Sequence, residues 1–308
     1  MSIARLLSCT LAALLATSSA LACPCSDDAG AGTSLARADE RYAVALVGSS
    51  RRALGRFDVS GDYRALPDDE VETSEELLLR VAARAPERLE WLADLGFASY
   101  RFHAGSFSER ERGVGDLLLR GRYTLREEAM PHQEPRWPSL AATALLRAPL
   151  GALAQSRSSG FGSGGAQLGL GAWEAGLGLD LARSELGMLD WFISTEAAYR
   201  FEDSALGRAR QLGPRADAWL GARVRAERLW ATSLALRARF TGSVKLDGRA
   251  LEGTRERLLS LVWGISFQKP ASGFRSSATI TWDPPLPRLS ASSTSAVALG
   301  LALGYGVR

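Results

Sequence analysis

Residues Ser295 to Tyr305 read Ser-Ala-Val-Ala-Leu-Gly-Leu-Ala-Leu-Gly-Tyr. Val297, Leu299, Leu301, Leu303 and Tyr305 recur at every second position, and only Ala and Gly stand between them. A period of two places all the bulky apolar groups on one face of a strand and leaves the other face bare. A sheet half-exposed to water carries polar groups on its outer face. A strand with no charge on either face instead suits a lipid-facing exterior and a crowded interior.

The start of the chain suits the same compartment. Residues 1–22 read as an export signal: Arg5 supplies the positive charge, Leu6 to Ala16 a short apolar stretch, and Ala20-Leu21-Ala22 a small-x-small cleavage site. That stretch is too short to span a bilayer as a helix, and no later run approaches the ~18 apolar residues a spanning helix needs. Of three cysteines, Cys9 lies in the signal, and Cys23 and Cys25 flank Pro24, so no disulfide framework is expected. Cys23 directly follows the cleavage site and is a candidate for lipidation. Ala20 stands where lipoprotein signals usually carry Leu, so plain cleavage is the other reading.

The 308 residues include 31 Gly, with a net charge of +3 and mean hydropathy of -0.04, too polar for a helical membrane protein but ordinary for alternating strands. Positive and negative groups are interspersed, so a nucleic-acid partner is not expected. The alternation recurs along the chain. Leu77, Leu79 and Val81 alternate with Arg80 and Arg84. Leu117, Leu119 and Tyr123 alternate with Asp116, Arg120 and Arg122. Leu177 and Leu179 alternate with Glu174 and Asp180, and Leu234 and Leu236 with Arg237 and Arg239. With an early strand near Arg41–Val59, about 12 strands are expected. The fold class is therefore all-β, a single antiparallel transmembrane β-barrel over residues 41–308 after a short N-terminal segment, 23–40.

Short connections near Ala85–Arg88, Glu227–Arg228 and Lys269–Gly273 mostly alternate with longer ones near Ser60–Thr73, Ala104–Arg112, Leu150–Ser163, Ser243–Arg255 and Asp283–Ser293. This is the pattern of short periplasmic turns and long outer loops. Arg126–Trp137 is expected to be a long connection on the periplasmic side. Trp91, Tyr123, Trp191, Phe201, Trp230, Phe240, Trp282 and Tyr305 near strand ends suit aromatic girdles at the membrane interfaces.

Phase assigns the charged residues to the lumen. The candidate lining is Arg80, Asp94, Asp116, Arg120, Arg122, Glu174, Asp180, Glu196, Arg200, Asp217, Arg223, Arg237 and Arg239. Charges in a narrow barrel must pair or be hydrated, because uncompensated charge in a low dielectric is costly. They could form a selectivity lining favouring anions or a salt-bridged filling that holds the barrel together.

Gly113-Val114-Gly115-Asp116-Leu117-Leu118-Leu119-Arg120-Gly121-Arg122-Tyr123 resembles the G-x-G-D-x-x-L-x-x-K/R-Y strand of the outer-membrane transporter family named after the meta pathway of phenol degradation. Gly162-Ser163-Gly164-Gly165, leading into Trp173 and Glu174, is similar to that family's later Gly-rich loop and strand. The resemblance implies a channel or transporter, often associated with hydrophobic or aromatic compounds. One departure concerns assembly: many such barrels end on an aromatic that the barrel-assembly machinery reads, whereas here Tyr305 is followed by Gly306-Val307-Arg308.

Two other readings compete with a passive channel for small solutes. A non-conducting structural or surface-display barrel would suit the pairable charges and the small Ala and Gly residues. An outer-membrane lipid hydrolase would need a His base beside a nucleophile. Only His103, near Ser106 and Ser108, and His132 exist, and no G-x-S-x-G elbow occurs, so the chain is not expected to be an enzyme. No cofactor or metal is called for. The expected partners are outer-membrane lipid, the assembly machinery and a small solute, in the outer membrane of a Gram-negative bacterium.

Overall fold

The computed structural model describes residues 40–85, 88–128, 137–150, 171–185, 188–205, 208–226, 229–269 and 272–307. The signal segment, Cys23, His132 and the glycines at 162–165 lie outside the described residues. Among the described residues seventeen strands follow in order: β1 (Tyr42–Phe57), β2 (Tyr63–Ala65), β3 (Glu70–Arg84), β4 (Leu89–Ala104), β5 (Phe107–Arg126), β6 (Ser139–Ala148), β7 (Glu174–Glu185), β8 (Leu189–Arg200), β9 (Asp203–Ala205), β10 (Arg208–Gln211), β11 (Arg215–Arg225), β12 (Trp230–Thr241), β13 (Lys245–Leu246), β14 (Arg249–Ala250), β15 (Glu256–Gln268), β16 (Phe274–Trp282) and β17 (Thr294–Val307).

Twelve of these close into one antiparallel barrel, β1-β3-β4-β5-β6-β7-β8-β11-β12-β15-β16-β17, in which β17 returns to pair with β1. Closure gives every barrel strand a neighbour on each side and leaves no edge strand, as strands in hydrocarbon require. Tyr42 lies opposite Val307, so both termini of the barrel meet at one end. At that end the connections are short, apart from the twelve-residue link between β5 and β6. The opposite end carries the longer loops and is the extracellular end of such a barrel. Among the described residues no helix is long and apolar enough to cross a membrane. The barrel strands are 9 to 20 residues long, against the roughly 9–11 a tilted spanning strand needs.

The alternation sorts the side chains as the sequence dictates. On β17, Leu299, Leu301 and Leu303 are 57, 66 and 56% exposed, whereas Ala296 and Ala302 are buried. Leu177, Leu179, Leu220 and Leu234 are likewise exposed, while Glu174, Asp180, Asp217 and Arg237 are buried. This inversion, with apolar groups outside and charges inside, is stable only where the outer medium is lipid. Inside, Phe192 and Trp219 pack with Ala235 and Val262, and Leu78 packs on Ala45, Val47 and Ala302.

The connection expected over Ala104–Arg112 is instead strand. β4 and β5 run out to a two-residue turn, Gly105-Ser106, in which Gly105 holds φ +56. Phe107 to Arg112 keeps the period of two but alternates charge sign rather than hydrophobicity, so its strand character is masked in an apolar pattern. Phe102 and Phe107, with ring centroids 6.0 Å apart, close the tip. The Gly-Val-Gly-Asp stretch breaks the register lower down. Leu95 pairs with Leu117 and Phe97 with Val114, so Gly115 and Asp116 face the single residue Gly96. This β-bulge flips the phase of β5: even residues face inward below it and odd residues above it.

Two of the outer loops are not irregular. β9 and β10 from one, and β13 and β14 from another, form a separate four-stranded sheet at the extracellular end. Asp247 and Gly248 both hold positive φ in the turn joining β13 to β14, as an Asp-Gly hairpin turn requires. The Asp247 carboxylate ties that turn to β10 by accepting from Arg208 Nε at 2.7 Å and the Ala209 amide at 3.1 Å.

Candidate functional site

The interior is organised row by row. Arg80 on β3 lies directly opposite Asp94 on β4, and the fork closes with Nε to Oδ1 at 2.7 Å and Nη2 to Oδ2 at 2.8 Å. Both groups are buried, so the paired, bidentate geometry is what makes burial tolerable. Two rows nearer the termini, Arg84 stands 3.9 Å from Glu90.

The densest cluster spans β5 to β12. Glu174 on β7 is fully buried and meets Arg147 on β6 at 3.6 Å, Arg200 on β8 at 2.8 Å and Arg215 on β11 at 3.1 Å. Arg215 also donates to Glu196 at 2.6 Å and to Asp217 at 2.8 Å. Glu196 accepts from Arg120 at 2.9 Å, and Asp217 accepts from Arg237 and Arg239, both at 3.0 Å. The Arg120–Glu196 pair joins strands separated by two others, and Arg215–Glu174 strands separated by one. Side chains can make such contacts only across the concave inner surface, so the network lies inside the barrel. Arg237 also stacks its guanidinium 4.6 Å over the Trp219 ring.

Smaller clusters flank it. Asp180 accepts from Ser194 at 2.5 Å and faces Arg122 at 3.4 Å. Arg223 and Arg225 share Asp190 near the terminal end, with Arg225 Nη2 to Oδ1 at 2.8 Å. Asp116 is buried at the bulge. The structure thus joins seven of the thirteen candidates (Arg120, Glu174, Glu196, Arg200, Asp217, Arg237 and Arg239) in one network. Arg80–Asp94 and Arg122–Asp180 form separate pairs, and Arg223 a separate group with Asp190.

The hub of the main network, Arg215, was not among the sequence candidates. It begins β11 directly after Pro214 and looks like a loop residue, yet it shares the phase of Asp217. Extending the alternation one step back would have found it, and the same step would have found Asp190. Phe192 and Trp219 were also missed, because apolar residues at inward positions break the expected polarity.

The remaining wall is unlike the first. Across β15, β16, β17 and β1 the central inward rows read Val262, Thr281, Ala298, Arg51; Gly264, Thr279, Gly300, Ser49; and Ser266, Ser277, Ala302, Val47. Small uncharged residues dominate, and the one charge, Arg51, is matched by Asp283 at 3.2 Å. His103 lies on the outward face of β4 opposite Ser108, and among the described residues no hydrogen bond links its ring to Ser106 or Ser108.

No protein-family model matches the chain, and no curated protein matches it in sequence. Solved structures do match. An outer membrane channel from Pseudomonas putida F1 superposes with a TM-score of 0.68 at 17% identity, covering 88% of this chain and 97% of that one. The NanC porin follows at 0.47 with 9% identity, over 86% of this chain and 100% of that one. The Pseudomonas putida toluene transporter TodX gives 0.44 at 10% identity, over 90% and 95%. The chain has the β-barrel fold of the Pseudomonas putida F1 outer membrane channel.

Proposed function

We propose that the chain is exported to the outer membrane of a Gram-negative bacterium and passes small, weakly polar or hydrophobic solutes passively through its lumen. The observation that carries this reading is the two-sided interior. Arginines on β3 to β12 each meet a carboxylate and hold one wall rigid, and in the main network six arginines share three carboxylates, so that wall carries a net positive field. The central rows of the opposite wall, of Ala, Gly, Ser, Thr and Val, carry one charge, Arg51, which Asp283 matches. The lumen between the walls favours anions over cations and offers a weakly polar surface to an uncharged solute. The fold shared with an outer membrane channel supports the reading.

The test is flux into proteoliposomes carrying the signal-free barrel. Small aromatic or aliphatic solutes should equilibrate faster than in protein-free liposomes, with sugars and inorganic ions lagging. Substituting Thr279→Arg on the uncharged wall should slow that flux several-fold without unfolding the barrel. Flux equal to protein-free liposomes for every solute would favour a structural barrel instead.

A further inference from the structure

The extracellular halves of β4 and β5 carry a second charged surface, on the opposite face from the interior network. Arg101 on β4 lies directly opposite Arg110 on β5, and the row continues through Thr73 on β3 to Arg52 on β1. Arg112 lies one row nearer the barrel middle, opposite Ser99. These positions share a face with Leu77, Phe97 and Val114, which are 47, 48 and 48% exposed, so the arginines point outward, and all four are exposed. Among the described residues, no ion pair or hydrogen bond engages their guanidinium groups. This is the reverse of the interior, where arginine after arginine meets a carboxylate.

The bulge produces the asymmetry. Above it, the alternating run Glu109-Arg110-Glu111-Arg112 turns its acids inward, where they stand opposite Phe102 and Tyr100, and its arginines outward. On the outward face Glu75 is the one acid across these rows, against four arginines, with His103 one row further out. Like charges directly opposite on one face of an antiparallel pair are destabilising, and Arg101 and Arg110 are such a pair. The geometry therefore calls for anions supplied from outside. Directly below the arginines the same face becomes apolar: Val114 is about 7 Å along the strand from Arg112, and Phe97 about 13 Å from Arg101.

An anion with apolar chains hanging beneath it fits both halves of this surface. We propose that the outward face of β1, β3, β4 and β5 binds phosphate-bearing glycolipid of the outer leaflet. Arg52, Arg101, Arg110 and Arg112 take the phosphates, and Leu77, Phe97 and Val114 carry the acyl chains. Guanidinium forks suit phosphate oxygens, which they bind bidentately. The assignment rests on the membrane orientation of the barrel and is independent of whether the lumen conducts.

The test is native mass spectrometry on the folded signal-free chain in detergent, titrated with a diphosphorylated glycolipid and with the same lipid after phosphate removal. The diphosphorylated lipid should bind at least tenfold more tightly than the dephosphorylated form. The pair Arg101→Ser with Arg110→Ser should lose at least tenfold in that affinity, and Arg112→Ser alone about threefold. The exposed Arg257→Ser on β15 should lose nothing. Millimolar inorganic phosphate should not displace the lipid; displacement would mark a soluble-anion site and overturn the lipid assignment. Equal affinity for both lipids, or equal affinity of the wild type and the Arg112→Ser chain, would also overturn it, and the latter comparison stands even if the double variant does not fold.

Discussion

At the residue scale, the barrel interior turns on buried charges that are tolerable only in company. Glu174 is the sharpest case, a fully buried carboxylate held by three arginines. Removing one partner of such a group leaves the others uncompensated, typically at ~3–5 kcal/mol. Glu174→Ala should therefore shift the urea midpoint strongly, read by heat-modifiable migration on a gel, whereas Arg147→Ala, at the rim of the same cluster, should shift it less. A second residue-scale test concerns the turn after β1. The Asp58 carboxylate accepts from Ser60 Oγ at 2.6 Å and from the Ser60 and Asp62 amides, and these bonds, the Ser60 hydroxyl first, lower its pKa. A depressed carboxylate stabilises the turn above its unfolded value near ~3.9 and stops doing so as pH falls through the lower folded value. The protection factor of the Asp62 amide, its exchange rate relative to the intrinsic rate at each pH, should hold at pH 5 and fall towards pH 2, and Asp58→Asn should abolish that step. The charged residues were legible in sequence because their phase within each strand is fixed. Arg215 and Asp190 were not, since strand ends hide phase, and partners three strands away cannot be read from spacing.

At the element scale, the last strand shows how much a pattern can carry. Leu299, Leu301 and Leu303 face outward at more than half exposure, and Gly300, Ala302 and Gly304 pack inward beside β1. Placing Arg or Lys at a mid-membrane, lipid-facing strand position costs ~2–4 kcal/mol, falling off near the interfaces. Leu301→Arg should therefore lower the unfolding free energy of the barrel in lipid vesicles by about that amount. The same change on a water-exposed strand of a soluble protein would be nearly silent, so the measurement separates the two environments. The elements that escaped the sequence have physical reasons. The outer arm of β5 alternates Glu with Arg, a period of two without an apolar phase. Strands of two to four residues such as β10, β13 and β14 are too short to show any period, and Asp247-Gly248 was their one readable sign. The bulge at Gly115-Asp116 lay inside the stretch that carries the family resemblance, but its consequence, turning Arg110 and Arg112 outward, needs the register to be seen.

At the scale of the whole molecule, twelve strands closed on themselves present an apolar exterior and an interior of two unlike walls. Closure and the expected strand count followed from alternation alone, because a lipid-facing sheet must satisfy every backbone group and leave no edge. The two-sidedness of the lumen did not, because it depends on which strands become neighbours. It is the feature on which the proposal of conduction rests. A filled barrel needs packed or paired side chains throughout, whereas the three central rows from β15 to β1 hold small residues and a single charge, Arg51, with further ion pairs confined to the two ends.

The most direct test of that account is solute flux measured alongside single-molecule conductance on the folded, signal-free barrel in a planar bilayer and in matched liposomes. The account predicts small, discrete current steps with a preference for anions over cations, together with rapid passage of small uncharged organic solutes. A folded, heat-modifiable barrel that gives no steps and passes no solute faster than bare lipid would contradict it.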